Sequence, residues 1–396
     1  MAKSKKNAFT VPLARPDITG KEIRTVLAVL RTPYLSFGPR LEEFEKKFAA
    51  YTGSRYAVAV NSGTAGLHLA IKSLEIDRND AVITTPFSFI ASANCILYEN
   101  ALPVFIDINE DTFNIDSDLI QQFLKKECRR DRKSGRPVHR KSGRTVKAVL
   151  PVHVFGNPCE MHQIMELARE YKLSVIEDAC EAVGAEYHGK RTGSIGDVGV
   201  FAFYPNKQIT TGEGGIITTN NENVANLCKS LRNQGRDHYG GWLAHRRLGY
   251  NYRISDINCA LGISQLERIE EILQKREKIA FMYNALLNGF VKTPETQNRS
   301  KRSWFVYVIC LPDEYEKETR DDILAKLTDR GIGCSNYFPP IHLQPFYRET
   351  FGYTEGDYCI TERISARTIA LPFHNNLKKS QIAYVTDNLK DILNIT

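Results

Sequence analysis

Val198–Asn220 reads VGVFAFYPNKQITTGEGGIITTN: an apolar strand, a lone lysine at Lys207, a glycine-rich reversal and a second apolar strand. Most of the 53 Lys and Arg residues of the chain are expected in water. Lys207 is set apart because its flanks are apolar or glycine-rich and offer no reason for a surface charge. Gly212, Gly214 and Gly215 supply the tight reversal into the next strand. An ε-amine placed in such a setting loses solvation, which favours its neutral, nucleophilic form and allows it to form an imine with an aldehyde.

Upstream, Leu173–Asp178 (LSVIED) ends another apolar strand in an acid. Strand alternation sends Glu177 and Asp178 to opposite faces, so one of them reaches the end of the sheet where Lys207 lies. A lysine and an aspartate at the carboxyl ends of two parallel strands are what pyridoxal phosphate requires. The lysine holds the aldehyde, and the aspartate keeps the pyridine nitrogen protonated so that the ring draws in electrons. Asn61-Ser62-Gly63-Thr64 lies between the strand YAVAV and the helix AGLHLAIKSL. Small residues there let backbone amides and the positive end of a helix dipole meet a phosphate. Phe89, after the next strand, is placed to stack on a flat ring. Glu181, three residues past Asp178, is a candidate contact to that ring or to a catalytic water. These elements occur in the order expected if all meet at one edge of an open α/β sheet.

The remaining chain is consistent with a soluble α/β protein. Its 396 residues suffice for a large core and two domains, and 42% apolar and 25% charged residues are ordinary for a globular protein. No apolar run approaches the ~18–20 residues of a membrane span. The N-terminus MAKSKKNAFTVPLARP is basic but lacks the apolar segment of a secretory signal. Nine cysteines, odd in number and without a C-x-x-C pair, read as reduced thiols of a cytoplasmic protein and give no metal site. Lys125–Lys147 holds 11 Lys/Arg against Glu127 and Asp131, leaving 42 Lys/Arg against 44 acids elsewhere. This basic insertion is expected to be a solvated loop, with a polyanion-binding flap as its sharper alternative. It has no interleaved aromatics, so nucleic-acid binding is not expected.

Alternating strand and helix patterns predict strands at Tyr56–Val60, Ala81–Thr84, Pro103–Ile106, Val146–Pro151, Ser174–Glu177, Val198–Phe203 and Gly215–Thr219. Helices are expected at Ala65–Leu74, Phe89–Tyr98, Asp116–Leu124, Met161–Tyr171 and Asn223–Arg232. Such alternation argues for a mostly parallel sheet covered by helices on both faces. Ser255–Leu287 reads as one long helix capped by Ser255. Lys292–Arg302 reads as a linker, Trp304–Leu311 as a strand and Arg320–Arg330 as a helix, followed by a loop-rich tail. The expected division is a large domain over residues 1–275 and a smaller α+β domain over 276–396, joined by the long helix.

The segments NSGTAGLHLA, TPFSFIASAN, PVHVFGNPCEM, VIEDACEAVGAEYHGKRTGSIGDVGVFAFYPNKQITTGEGG, LGYNYRISDINCALGISQLERI and YFPPIHLQPFY together resemble the DegT/DnrJ/EryC1/StrS family over nearly the whole chain. The resemblance implies fold type I and a pyridoxal 5'-phosphate-dependent aminotransferase acting on nucleotide-linked keto sugars, with L-glutamate as amino donor. It implies that Lys207 forms the imine, Asp178 pairs with the ring nitrogen and Phe89 stacks on the ring. Ser62, Gly63 and Thr64 would hold the phosphate. Asn251 would reach the phosphate of a neighbouring subunit, implying a homodimer with shared sites, and Tyr204 and His342 would face the sugar. Two departures stand out. Ala202 occupies a position where the family often has a phosphate-binding serine, and Glu181 stands where many members carry Gln or His, although perosamine-synthase-like members resemble this chain there. A related sugar dehydratase, a cyclitol aminotransferase and a catalytically silent scaffold remain the alternatives, and the intact Lys207 favours amino transfer.

Overall fold

The computed structural model describes residues 10–237, 244–296 and 299–394. The first nine residues of the basic N-terminal arm lie outside that set. Two helices the sequence pattern did not reveal, α1 (Gly20–Leu30) and α2 (Pro39–Thr52), precede the sheet. Strands and helices then alternate: β1 (Tyr56–Val60), α3 (Gly63–Ser73), β2 (Asp80–Thr84), α4 (Ala91–Leu97), β3 (Leu102–Phe105) and α5 (Ser117–Lys126). There follow β4 (Cys128–Arg130), β5 (Pro137–His139), β6 (Thr145–Val149), α6 (Met161–Tyr171), β7 (Ser174–Asp178), β8 (Glu186–Tyr187), β9 (Lys190–Arg191), β10 (Val198–Ala202) and β11 (Gly215–Thr219). The C-terminal part comprises α7 (Glu222–Arg232), α8 (Asp256–Leu266), α9 (Ile269–Leu287), β12 (Ser300–Lys301), β13 (Tyr307–Cys310) and α10 (Lys317–Asp329). It closes with α11 (Pro345–Phe351), α12 (Cys359–Arg367), β14 (Thr368–Leu371) and α13 (Lys379–Ile392).

The main sheet runs β1-β11-β10-β7-β6-β2-β3. β10, β7, β6, β2 and β3 are mutually parallel, and β11 is antiparallel to both β10 and β1. Period-two alternation divides its side chains. Val58, Val60, Val200 and Ile217 join Leu67 and Leu69 of α3 in one cluster, while Ala57, Ala59, Phe201 and Ile216 join Phe44 and Phe48 of α2 in another. Both faces are thus covered, as the apolar runs predict. Crossover connections bring the C-terminal ends of the parallel strands to one edge, and the candidate site lies along it.

Four expectations need correction. The pattern over 255–287 is not one helix: α8 ends at Leu266, and α9 starts at Ile269. The break falls where Gln265 and Arg268 turn toward α1. Arg268 donates to Glu22 at 2.8 Å and Asp17 at 3.2 Å, and Gln265 donates to Glu22 at 3.0 Å. It is α9 alone that runs from the sheet cluster (Ile272, Leu273) into the cluster around β13 and β14 (Ile279, Tyr283, Leu287). The basic insertion is not a plain loop. β4 and β5 form an antiparallel hairpin that joins β6 at Val138–Thr145. The tail beyond Pro339 is not loop-rich, since α11, α12, β14 and α13 occupy most of it. Within the expected linker, Ser300–Lys301 pairs with β8. Among the described residues, no helix is long and apolar enough to cross a membrane.

Candidate active site

At the strand ends a cavity of about 580 Å³ collects residues that lie far apart in the chain. Ser62, Gly63, Thr64, Phe89, Asp178, Glu181, Tyr204 and Lys207 all line it. Each arrives from a strand end. β1 gives way to α3 at Ser62, whose side chain accepts from the Ala65 amide at 3.1 Å and caps the helix. The Gly63 and Thr64 amides at the helix start are left without helical partners. Gly63 is required by close approach: a Cβ there would sit 2.6 Å from the Ala202 Cβ and 3.1 Å from the Cys180 Sγ. Gly215 is similarly constrained, with a Cβ 2.6 Å from the carbonyl of Ser62. Two backbones therefore meet closely around a helix start, which is a cradle for an anion.

β7 delivers Asp178 into the cavity and Glu177 away from it. The Asp178 Oδ2 accepts from Ser92 Oγ at 2.7 Å, and Oδ1 accepts from the Cys180 amide at 3.1 Å. Ser92 is itself 2.8 Å from Ser88 Oγ, so a short hydroxyl chain orients the carboxylate. Glu177 is fully buried and accepts from the amides of Gly193, Ile195 and Gly196 at 2.7–2.8 Å.

After β10 the chain turns at Tyr204–Lys207, with the Lys207 amide donating to the Tyr204 carbonyl at 2.9 Å. The buried Arg276 donates to the Lys207 carbonyl at 3.2 Å and the Phe305 carbonyl at 3.3 Å, which fixes this turn against the segment ahead of β13. The Lys207 side chain is only 13% exposed. Its Nζ lies 3.6 Å from Glu181 Oε1 and 3.9 Å from the centroid of the Phe305 ring. Burial pushes the Glu181 carboxyl above its ordinary value, and the Lys207 charge and the Phe155 amide pull against that rise. Phe89 is 62% exposed at the cavity wall, a free aromatic face.

Two candidates lie elsewhere in this chain. Asn251 is exposed on the segment after α7, where its carbonyl accepts from Asn61 at 3.4 Å, and it does not line the cavity. His342 is completely buried among Tyr353 and Tyr358, with Nε2 2.9 Å from Glu362, and it does not reach the cavity either. The cavity also has walls that were not among the candidates: Ser88, Ser92, Phe305, Asn336 and Tyr337. The spacing of Ser88 and Ser92 by one helical turn beside Phe89 is the available signal for the first pair. The others come from the C-terminal segments, which only long-range folding brings here. Among the described residues, no cluster of His, Cys, Asp and Glu is suited to hold a metal ion.

The residues present fit pyridoxal phosphate: a Cβ-excluding anion cradle, an exposed aromatic face, an oriented carboxylate and an enclosed amine share one cavity. The family model for the DegT/DnrJ/EryC1/StrS aminotransferase family matches residues 16–390. A GDP-perosamine synthase of Caulobacter vibrioides is 37% identical over 392 residues, covering 97% of this chain and 98% of that protein. The structure of Helicobacter pylori PseC, an aminotransferase involved in the biosynthesis of pseudoaminic acid, superposes with a TM-score of 0.87 at 28% identity, covering 98% of this chain and 100% of the other. The PMP form of Spr1654 from Streptococcus pneumoniae gives 0.88 at 26% identity, covering 98% and 100%. The chain belongs to the DegT/DnrJ/EryC1/StrS aminotransferase family and is a pyridoxal-phosphate-dependent aminotransferase.

Proposed function

We propose that the protein transfers the amino group of L-glutamate to the keto group of a nucleotide-linked sugar in amino-sugar biosynthesis, working as a homodimer with shared sites. The observation that carries this reading is the enclosed Lys207 amine in one cavity with the oriented Asp178 carboxylate. The names of the relatives support a sugar as acceptor.

When bound, the cofactor supplies an aldehyde to carry the amino group and a ring that takes up electrons from the substrate carbon. The chain's own residues do the rest. First-turn amides and the Thr64 hydroxyl of α3 bind the phosphate, assisted by the helix dipole. Phe89 offers its face to the ring. Asp178, held by Ser92 and Cys180, presents a carboxylate to the ring nitrogen and keeps that nitrogen protonated. Lys207 Nζ would hold the aldehyde at rest and, once free, would take the proton from the donor's α-carbon. In the second half-reaction the same nitrogen returns a proton to the sugar carbon. Tyr204 stands at the mouth, where the acceptor enters. Asn251 is assigned to the phosphate of the neighbouring subunit's site, in keeping with its exposure and its absence from the lining of this chain's own cavity.

Cofactor-loaded protein should show an absorbance band near the violet edge that borohydride bleaches and glutamate shifts. Lys207→Ala should lose the bleachable band. Glutamate plus a panel of keto-sugar nucleotides, read by mass spectrometry, should give an aminated sugar product. Persistence of the bleachable band in Lys207→Ala would defeat this reading.

A further inference from the structure

Glu181 lines the cavity beside Lys207, yet the mechanism above leaves it without work. It is 5% exposed and lies at the turn after β7. The Phe155 amide donates to its Oε2 at 2.9 Å. Phe155 achieves this from the left-handed region at φ 55, ψ 26, a conformation that non-glycine residues rarely adopt and that concentrates at functional sites. The next residue, Gly156, has no space for a side chain, since a Cβ would lie 1.7 Å from the Ser303 carbonyl. Gln208 adds a clamp on the Glu181 backbone, donating to its carbonyl at 2.7 Å. With Oε2 tied down, Oε1 is left facing Lys207 Nζ at 3.6 Å.

We propose that Glu181 is the proton partner of Lys207, receiving a proton from Nζ at Oε1 whenever that nitrogen must act as a nucleophile and returning it afterwards. In this transfer an N–H bond of the ammonium breaks and an O–H bond of the carboxyl forms. The pair passes from ammonium and carboxylate to amine and carboxylic acid, with no change of net charge and no proton crossing to water. That neutrality matters in an enclosed cavity, where creating an isolated charge is costly.

The other titratable groups facing Glu181 do not compete for the role. Asp178 is engaged by Ser92 and Cys180, and burial pushes the Cys180 thiol and the Tyr337 phenol upward, so both stay protonated. Burial raises the Glu181 carboxyl and the Lys207 charge is the main counterweight. Removing that charge by making the nitrogen neutral therefore favours the protonated carboxyl, in the direction the transfer needs.

The inference rests on the imine role of Lys207 given above, and its test separates the two. Stopped-flow absorbance would follow the capture of free pyridoxal phosphate by wild type and Glu181→Gln from about pH 6 to 9. Gln keeps an oxygen for the Phe155 amide but cannot take the proton. Wild type should capture the cofactor at a rate nearly independent of pH, whereas Glu181→Gln should slow by about tenfold per unit of acidification. Glu181→Asp, an acid with shorter reach, should restore the flat profile at a lower rate. Wild type and Glu181→Asp should also gain a protonated-carboxyl infrared band when Lys207 becomes covalently engaged, a signal absent from Glu181→Gln. Parallel pH profiles, or no such infrared band in wild type, would overturn the proposal. Bleaching by borohydride in both proteins would leave the Lys207 assignment intact in either case.

Discussion

His153 Nε2 lies 3.0 Å from Glu177 Oε2, with both side chains fully buried. The Cys159 amide donates to His153 Nδ1 at 3.0 Å, which leaves Nε2 to carry the proton and donate to Glu177. One carboxylate thus gathers the imidazole and three amides of the 193–196 loop, and this fixes β7 one residue before Asp178. Glu177→Leu leaves those donors buried and unpaired, and should cost at least about 3 kcal/mol. Urea denaturation monitored by circular dichroism measures it, and an unchanged midpoint would contradict this account.

Asp178→Ala removes the carboxylate assigned to the ring nitrogen while leaving Lys207 in place. Turnover should fall by orders of magnitude, and the borohydride-bleachable band should remain. A rate within threefold of wild type, by an estimate of about 0.6 kcal/mol in barrier, would show that the residue is dispensable.

Ala202 lines the cavity where a hydroxyl would face the phosphate cradle. Ala202→Ser should tighten cofactor retention by about 2- to 10-fold, the worth of one added hydrogen bond. Equilibrium dialysis against pyridoxal phosphate reads the change.

The legible parts of the chain and the hidden ones differ for physical reasons. Tyr56–Val60, Gly215–Thr219 and Met161–Tyr171 match their expected bounds because buried strands and amphipathic helices write their periods into local composition. The reversed direction of β11 leaves no such mark, since an apolar run reads alike in either sense. β4 and β5 escaped notice because each has only three residues, too few to show a strand period. The interruption between α8 and α9 arises from Arg268 reaching Glu22, a contact across 246 residues that no local window contains. At the site, Ser62, Asp178 and Lys207 are marked by their places at strand ends. Phe305 and Tyr337 look like ordinary core aromatics until the C-terminal segments fold over the cavity.

Acid should loosen the junction of α1 with α8 and α9. Burial by itself would raise the Glu22 carboxyl, but hydrogen bonds from Thr19 and Arg268 outweigh it and bring the value from 4.5 down to about 2. A depressed folded value means the contribution is whole above 4.5 and is lost as pH falls toward about 2. Urea midpoints across that window should decline in wild type, and the decline should be shallower in Glu22→Gln.

The shared sites proposed above predict complementation. Lys207→Ala and Asn251→Ala should each be inactive alone, because each spoils both cavities of its own dimer. Mixed, unfolded and refolded together, they should recover about a quarter of wild-type activity, since half the dimers are hybrids with one intact cavity. No recovery in verified hybrids would place Asn251 outside the partner's site.

The β4–β5 hairpin meets β6 at Thr145, where that strand begins, whereas the cavity takes Val152 just past its end. Roughly five residues of strand, about 16 Å, stand between them. Within this chain the charge and length there sit a strand's length from the cavity, so this spur is where a lineage can append an address, or an engineer a label, away from Lys207.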